Sequence, residues 1–114
     1  MLETTKVQLL RNAMQTYHWR MQAISSNLAN LDTPDYQRIT VTFEDRLQDA
    51  MHRVDGPRSL YDVDPRMQVE EDAPVLEDEM MELADTQMRN QVAARALREH
   101  FSLLRAGITG QSAG

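Results

Sequence analysis

The chain has 114 residues, a formal net charge of −6, no cysteine and only 5% aromatic residues, with 8 methionines among its apolar side chains. A chain of this length forms a single domain, residues 1–114, with a thin core. The methionine-rich, aromatic-poor composition favours helices over a β-sandwich. Its acidity, with no run of basic residues, speaks against nucleic acid and anionic membranes as partners. Without thiols there are no disulfides and no thiolate metal sites, so either redox compartment suits it.

The opening residues, Met1 to Lys6, lead into regularly spaced polar positions, so neither a signal-peptide apolar block nor a membrane span is expected. If the protein leaves the cytoplasm, it does so by another route. From Val7 the apolar residues recur as Val7, Leu10, Met14, Tyr17, Met21, Ile24, Leu28 and Leu31, in alternating steps of three and four. This spacing predicts a helix over about residues 5–32 with a coiled-coil seam for a partner helix. A plain amphipathic core helix is the alternative reading. Thr4 or Thr5 could cap its start, and Asp32-Thr33-Pro34 should end it, because proline drives the residue before it out of helical geometry.

Between the helices, residues 33–75, the pattern is mixed. Thr40 to Phe43 alternates as a short strand does, and Phe43, Leu47, Ala50 and Met51 then follow helical spacing up to the breaker Asp55-Gly56-Pro57. Tyr61 and Val63 on one side of Asp64-Pro65-Arg66, with Met67 and Val69 on the other, could make a small β-hairpin. Residues 52–75 are poor in aliphatics, and contact with neighbours would order them.

A second long helix is expected over residues 76–108. Glu77, Asp78, Glu79 and Glu82 suit the positive end of its dipole, and Gly107 and Gly110 mark its end. One apolar register runs through Leu76, Met80, Leu83, Gln87, Asn90, Ala94, Leu97, Phe101, Leu104 and Ile108, and Met81, Ala84, Met88 and Val92 form a second stripe. Two stripes imply contacts on more than one side. The expected fold is therefore mainly α: two long terminal helices packed as an antiparallel coiled-coil-like pair, with a short irregular or β-hairpin insertion between them.

No residue pattern points to catalysis. His18, His52 and His100 are far apart, with no metal-ligand spacing around them. The acidic groups Glu70-Glu71-Asp72 and Glu77-Asp78-Glu79 read as solvated charges at a loop and a helix start, since an acid/base pair needs two different environments in one pocket. A glycine-rich phosphate loop is missing too. Neither a cofactor, a metal, a small-molecule substrate nor an enzymatic activity is expected.

The segment Ser25 to Tyr36 resembles the N-terminal signature of the flagellar rod and hook proteins, Asn-x-Ala-Asn-x-x-Thr-Pro-Gly-Tyr, through Asn27, Ala29, Asn30, Thr33, Pro34 and Tyr36. Asp35 stands where the family has glycine, so the turn there is either type I or slightly strained. The stretches Glu79 to Ala84, Arg89 to Gln91 and Leu104 to Gly110 are similar to the C-terminal end of proximal-rod members, with Asn90 in place of a common aromatic. The two segments, roughly residues 5–47 and 76–110, stand at opposite ends as in the family, and the middle is short for it.

The resemblance implies a structural subunit of the basal-body rod in the periplasm. It would be exported by the flagellar type III apparatus, without a cleaved signal peptide, and stacked between membrane-ring junction proteins and other rod proteins. Its partners would be copies of itself and those neighbours, through an assembly seam of the first-helix residues above together with Met80, Leu83, Leu97, Phe101 and Leu104. Phe43 and Leu47 resemble the short motif that early export substrates present to the export gate. They could equally pack the short helix on the long ones. A coiled-coil adaptor or an export chaperone is the alternative to the rod reading.

Overall fold

The computed structural model describes residues 2–52 and 63–109, with side chains for 5–52 and 63–108. Its elements in chain order are α1 (Leu2–Ala29), β1 (Ile39–Thr42), α2 (Glu44–Met51), β2 (Arg66–Val69) and α3 (Leu76–Thr109). The breaker at Asp55-Gly56-Pro57 and Tyr61, one arm of the expected hairpin, lie outside the described residues. By helical rise α1 and α3 are about 42 and 51 Å long. They pack side by side, antiparallel, with the end of α1 joined to the start of α3 by a side-chain hydrogen bond from Asn27 to Glu79. The molecule measures 60 × 35 × 14 Å, so every helix lies within one layer of solvent.

The helix starts at Leu2, which puts Thr4 and Thr5 inside its first turns rather than at a cap. It also ends three residues early, at Ala29. Asn30 bends back and donates from Nδ2 to the Ser26 carbonyl (2.8 Å), taking up one of the carbonyls that a helix end leaves open. Two further i to i+3 bonds, Asn30 N–H to Asn27 O and Thr33 N–H to Asn30 O, carry the chain to Pro34. The turn from Thr33 to Tyr36 closes with Tyr36 N–H on Thr33 O, and Asp35 has φ 63°. Of the two expected alternatives the chain takes the left-handed one, where a Cβ is strained.

The two strands are antiparallel and pair Ile39 with Val69, Thr40 with Gln68, Val41 with Met67 and Thr42 with Arg66. This corrects the expected hairpin. The Met67–Val69 arm pairs back to β1 instead of folding across Asp64-Pro65-Arg66, and Val63 lies outside the sheet, buried beside Phe43 and Ala50. A short strand at 40–43 and a short helix after it are both present, one residue displaced. Residues 63–75, part of the segment expected to need neighbours for order, contain β2 and reach α3.

On α3 the buried face differs from the expected apolar register, whereas on α1 the register residues are all buried or half-buried. On α3 the buried residues are Glu79, Thr86, Ala93 and His100, one every seven residues, with Leu83, Asn90 and Leu97 half-buried between them. Met80, Gln87, Phe101, Leu104 and Ile108 are exposed. On α1 the buried residues are Asn12, Thr16, Tyr17, Ala23, Ile24 and Asn27, while Val7, Leu10, Met14, Met21 and Leu28, and Leu31 just past its end, are half-buried. Polar residues thus share the inward face of both helices, where Asn12, Thr16, Asn27 and Glu79 find hydrogen-bond partners and the Thr86 hydroxyl has none among the described residues.

Relief of the Asp35 backbone is testable. Asp35→Gly removes the Cβ strain at a cost in chain entropy, and should raise stability by about 0.5–1 kcal/mol. In a circular-dichroism melt this appears as a rise of a few degrees. A lower melting temperature would mean that the Asp35 side chain itself supports the turn.

Candidate functional site

The sequence signature folds into one polar junction. The Asn27 side chain has no exposure to solvent. Its Nδ2 donates to Ile39 O (2.8 Å) and to Glu79 Oε2 (3.1 Å), and its Oδ1 accepts from Ile39 N–H (2.8 Å) and from the Tyr36 hydroxyl (3.3 Å). All four hydrogen-bonding valences of the amide are used. Toward Ile39 it pairs with N–H and C=O together, as a neighbouring strand would. Since the Tyr36 proton goes to Asn27, the Ser26 hydroxyl donates to Tyr36 Oη (2.8 Å). Thr33 Oγ1 donates to Asn30 Oδ1 (3.0 Å). Ala29 and Pro34 are exposed.

Glu79 is the other half of the junction. It was expected among the solvated charges at the start of α3, but it is fully buried. One oxygen takes the Asn27 amide and the other takes Arg38 Nε at 3.0 Å. Burial works to lower the Arg38 value, and the hydrogen bond and charge of Glu79, helped by Asp72 and Glu82, outweigh it and hold the guanidinium above its ordinary range. Both oxygens of this buried carboxyl group are matched, and it sits in the first turn of a helix.

Two more α1 side chains hold the insertion in the same way. Asn12 Nδ2 donates to Val63 O (3.0 Å), and Arg20 donates to Val41 O (2.7 Å) while gripping both oxygens of Glu44 (2.8 and 3.0 Å). Asn12, Arg20 and Asn27 thus reach three backbone carbonyls of the insertion from one side of α1. Reading the apolar periodicity alone missed Asn12, Arg20, Arg38 and Glu79. The available signal was polar residues at 12, 16, 20 and 27 in steps of four and seven, including two asparagines, poor helix formers, inside a long helix.

The remaining surfaces are of two kinds. A polar groove beside β1 is lined by Arg20, Arg38 and Arg89 facing Glu44, Glu79 and Asp85, and each arginine is already paired with one of those carboxylates. Among the described residues no group of His, Asp or Glu is placed to hold a metal ion, and no helix is long and apolar enough to cross a membrane. The second groove is apolar. It runs between the first half of α1 and α2 over Leu9, Leu10, Ala13, Tyr17, Phe43 and Leu47, with a volume of about 510 Å³. Phe43 is buried there against Ala50 and Val63, with Leu47 packed on the cluster. On α3, Met80, Met81, Met88, Val92, Phe101 and Leu104 are exposed, as are Leu103 and Ile108.

Residues 8–37 match the family model described as flagella basal body rod protein. This stretch contains the whole Asn27 to Tyr36 signature. The chain is also similar to the flagellar basal body rod protein FlgB of Bacillus subtilis (strain 168), at 25% identity over 120 residues, an alignment that spans 91% of this chain and 93% of that protein. No solved structure matches significantly. Both matches agree with the resemblance read from the signature and support a FlgB-like basal-body rod protein.

Removing the Asn27 amide strands the Ile39 N–H and C=O and one Glu79 oxygen in a site without water access. Asn27→Ala should cost about 3 kcal/mol or more in urea unfolding at neutral pH, while Asn30→Ala, at a half-buried position, should cost about 1 kcal/mol. Equal effects would mean that Asn27 does not hold the junction. The Arg20–Glu44 pair makes a separate pH prediction. The hydrogen bonds from Arg20, opposed by burial and helped by the Glu44 backbone N–H and by the charges of Arg20 and Arg89, hold the Glu44 carboxyl below its ordinary range. Its folded pKa is the lower one, so its stabilisation is complete above the unfolded value of about 4.3 and fades as pH falls through the folded value. Glu44→Gln should be less stable than wild type at pH 7, and the gap should close toward pH 3. A gap that persisted at low pH would exclude the charge as its source.

Proposed function

We propose that this chain is a structural subunit of the bacterial flagellar rod, working without catalysis and joined to its neighbours through its long helices. The observation that carries the reading is the match to the rod-protein family over residues 8–37, together with similarity to FlgB along nearly the full length of both chains. These support a structural component of the rod, located in the basal body and associated with other rod components. The FlgB similarity also favours this reading over a free adaptor or an export chaperone.

The physical form of the subunit fits it. Because the line between α1 and α3 is largely polar, the methionines and aliphatics of α3 stay outside, on a body only 14 Å thick. Exposed apolar surface of this extent on a small monomer is costly unless other molecules cover it. Repeated contacts between different surfaces of identical subunits build an open helical array, the architecture a rod requires. A proximal position next to the membrane-ring junction, and a requirement for motility, belong to the same proposal.

Deletion and complementation in the source bacterium test it. Cells lacking the gene should fail to spread in soft agar and should yield basal bodies without a rod, and an epitope-tagged copy should restore both and co-purify with basal bodies. Normal swimming with complete rods in the deletion strain would overturn the proposal.

A further inference from the structure

We propose that the outer edge of β2 is a strand-pairing site at which two copies of the chain join about a two-fold axis. All four residues of β2 are exposed, Met67 and Val69 by more than half. In an antiparallel pair the backbone groups of successive residues turn to opposite edges. Glu70 N–H bonds to Arg38 O (2.9 Å), so by alternation the bonded pairs within the sheet are Thr40 with Gln68 and Thr42 with Arg66. The backbone groups of Ile39 and Val41 turn instead to α1. There the Asn27 amide takes both from Ile39, and Arg20 takes the Val41 carbonyl. Those of Met67 and Val69 turn the other way, and among the described residues no hydrogen bond reaches them. One edge of the sheet is thus closed by side chains while the other stands open, and an open edge is a template for a further strand.

The strand is complementary to itself. Turned end for end about Gln68, Arg66-Met67-Gln68-Val69-Glu70 sets Arg66 against Glu70 of the second copy, Met67 against Val69, and Gln68 against Gln68. Met67 and Val69 then fall at bonded positions, so every open N–H and C=O of both edges is matched. Sliding the copies either way brings Pro65, which has no N–H, or the bend at Glu71 and Asp72 into a bonded position. The charges are available as well. Arg66 is exposed and in no ion pair among the described residues, and Glu70 engages one oxygen, Oε1, with Thr40 and Gln68. Opposite charges directly across a strand pair stabilise it, and on the other face the exposed Met67 and Val69 cover each other. Such a two-fold contact closes on itself and uses neither long helix, so it pairs subunits and cannot extend into an array. It covers, outside the rod, an edge that otherwise invites aggregation.

The chain has no cysteine, so an introduced one reports alone. Gln68 would face its own copy at a non-bonded position, where Cα atoms stand about 4.5 Å apart, within reach of a disulfide. The purified Gln68→Cys chain should form a disulfide dimer under mild oxidation, seen on a non-reducing gel, while Gln48→Cys, exposed on α2, should stay largely monomeric. Adding Arg66→Glu or Glu70→Arg to Gln68→Cys should suppress the dimer, because like charges then face each other across the axis. Mixing these two chains should restore it, since every facing pair is again opposite in charge, and restoration shows that both chains are folded. A monomeric Gln68→Cys chain, equal linking at positions 48 and 68, charge reversals without effect, or a mixture no better than its components would overturn the pairing. So would a Gln68→Cys chain that in cells links to a different protein and not to itself. All of these outcomes leave the rod reading standing.

Discussion

The side chain of Asn27 takes the place of a strand. It gives the Ile39 peptide both of its hydrogen bonds, and through its second N–H it reaches the carboxylate of Glu79. Three parts of the chain that are far apart in sequence, the end of α1, the start of β1 and the start of α3, meet on this one amide. A body 14 Å thick has no room for a deep apolar core that could hold them by area alone. Directional bonds in a dry place do that work instead, and they are strong there because no water competes for them.

The same logic extends along α1. Asn12, Arg20 and Asn27 each use a side-chain N–H on a backbone carbonyl of the insertion, so the insertion is held by polar stakes as well as by the small cluster of Phe43, Ala50 and Val63. The helices then meet along a line containing Thr16, Asn27, Glu79, Thr86 and His100. With polar residues occupying the inside of the pair, the apolar residues of α3 are left on the outside. For an isolated globule this would be a poor arrangement. For a subunit completed by its neighbours it is the useful one, because the surface that drives association is not consumed in folding.

The signature residues take on a different meaning in this light. Asn27, Asn30, Thr33 and Tyr36 bond to their own chain, and they convert the end of a helix into the start of a strand within ten residues. Within the subunit the motif sets the direction in which the insertion leaves α1. Most of the exposed large apolar residues lie elsewhere, on the outer face and far end of α3.

The helical class, the two long helices, the short strand and short helix after the turn, and the resemblance to rod proteins were all legible in the residues, because each rests on local spacing, on proline and glycine, or on a short motif. Which face of α3 turns inward was not. Hydrophobic periodicity chose Met80, Phe101 and Leu104, whereas the folded chain buries Glu79, Thr86 and His100; for Glu79 the reason is its bonds to Arg38 and Asn27, partners 41 and 52 residues away in sequence. The pairing of β2 with β1 was hidden for the same reason, as a register between segments 24 to 30 residues apart leaves no local trace. Local spacing determines what an element is, and only the bonds made across the fold decide which side of it faces in.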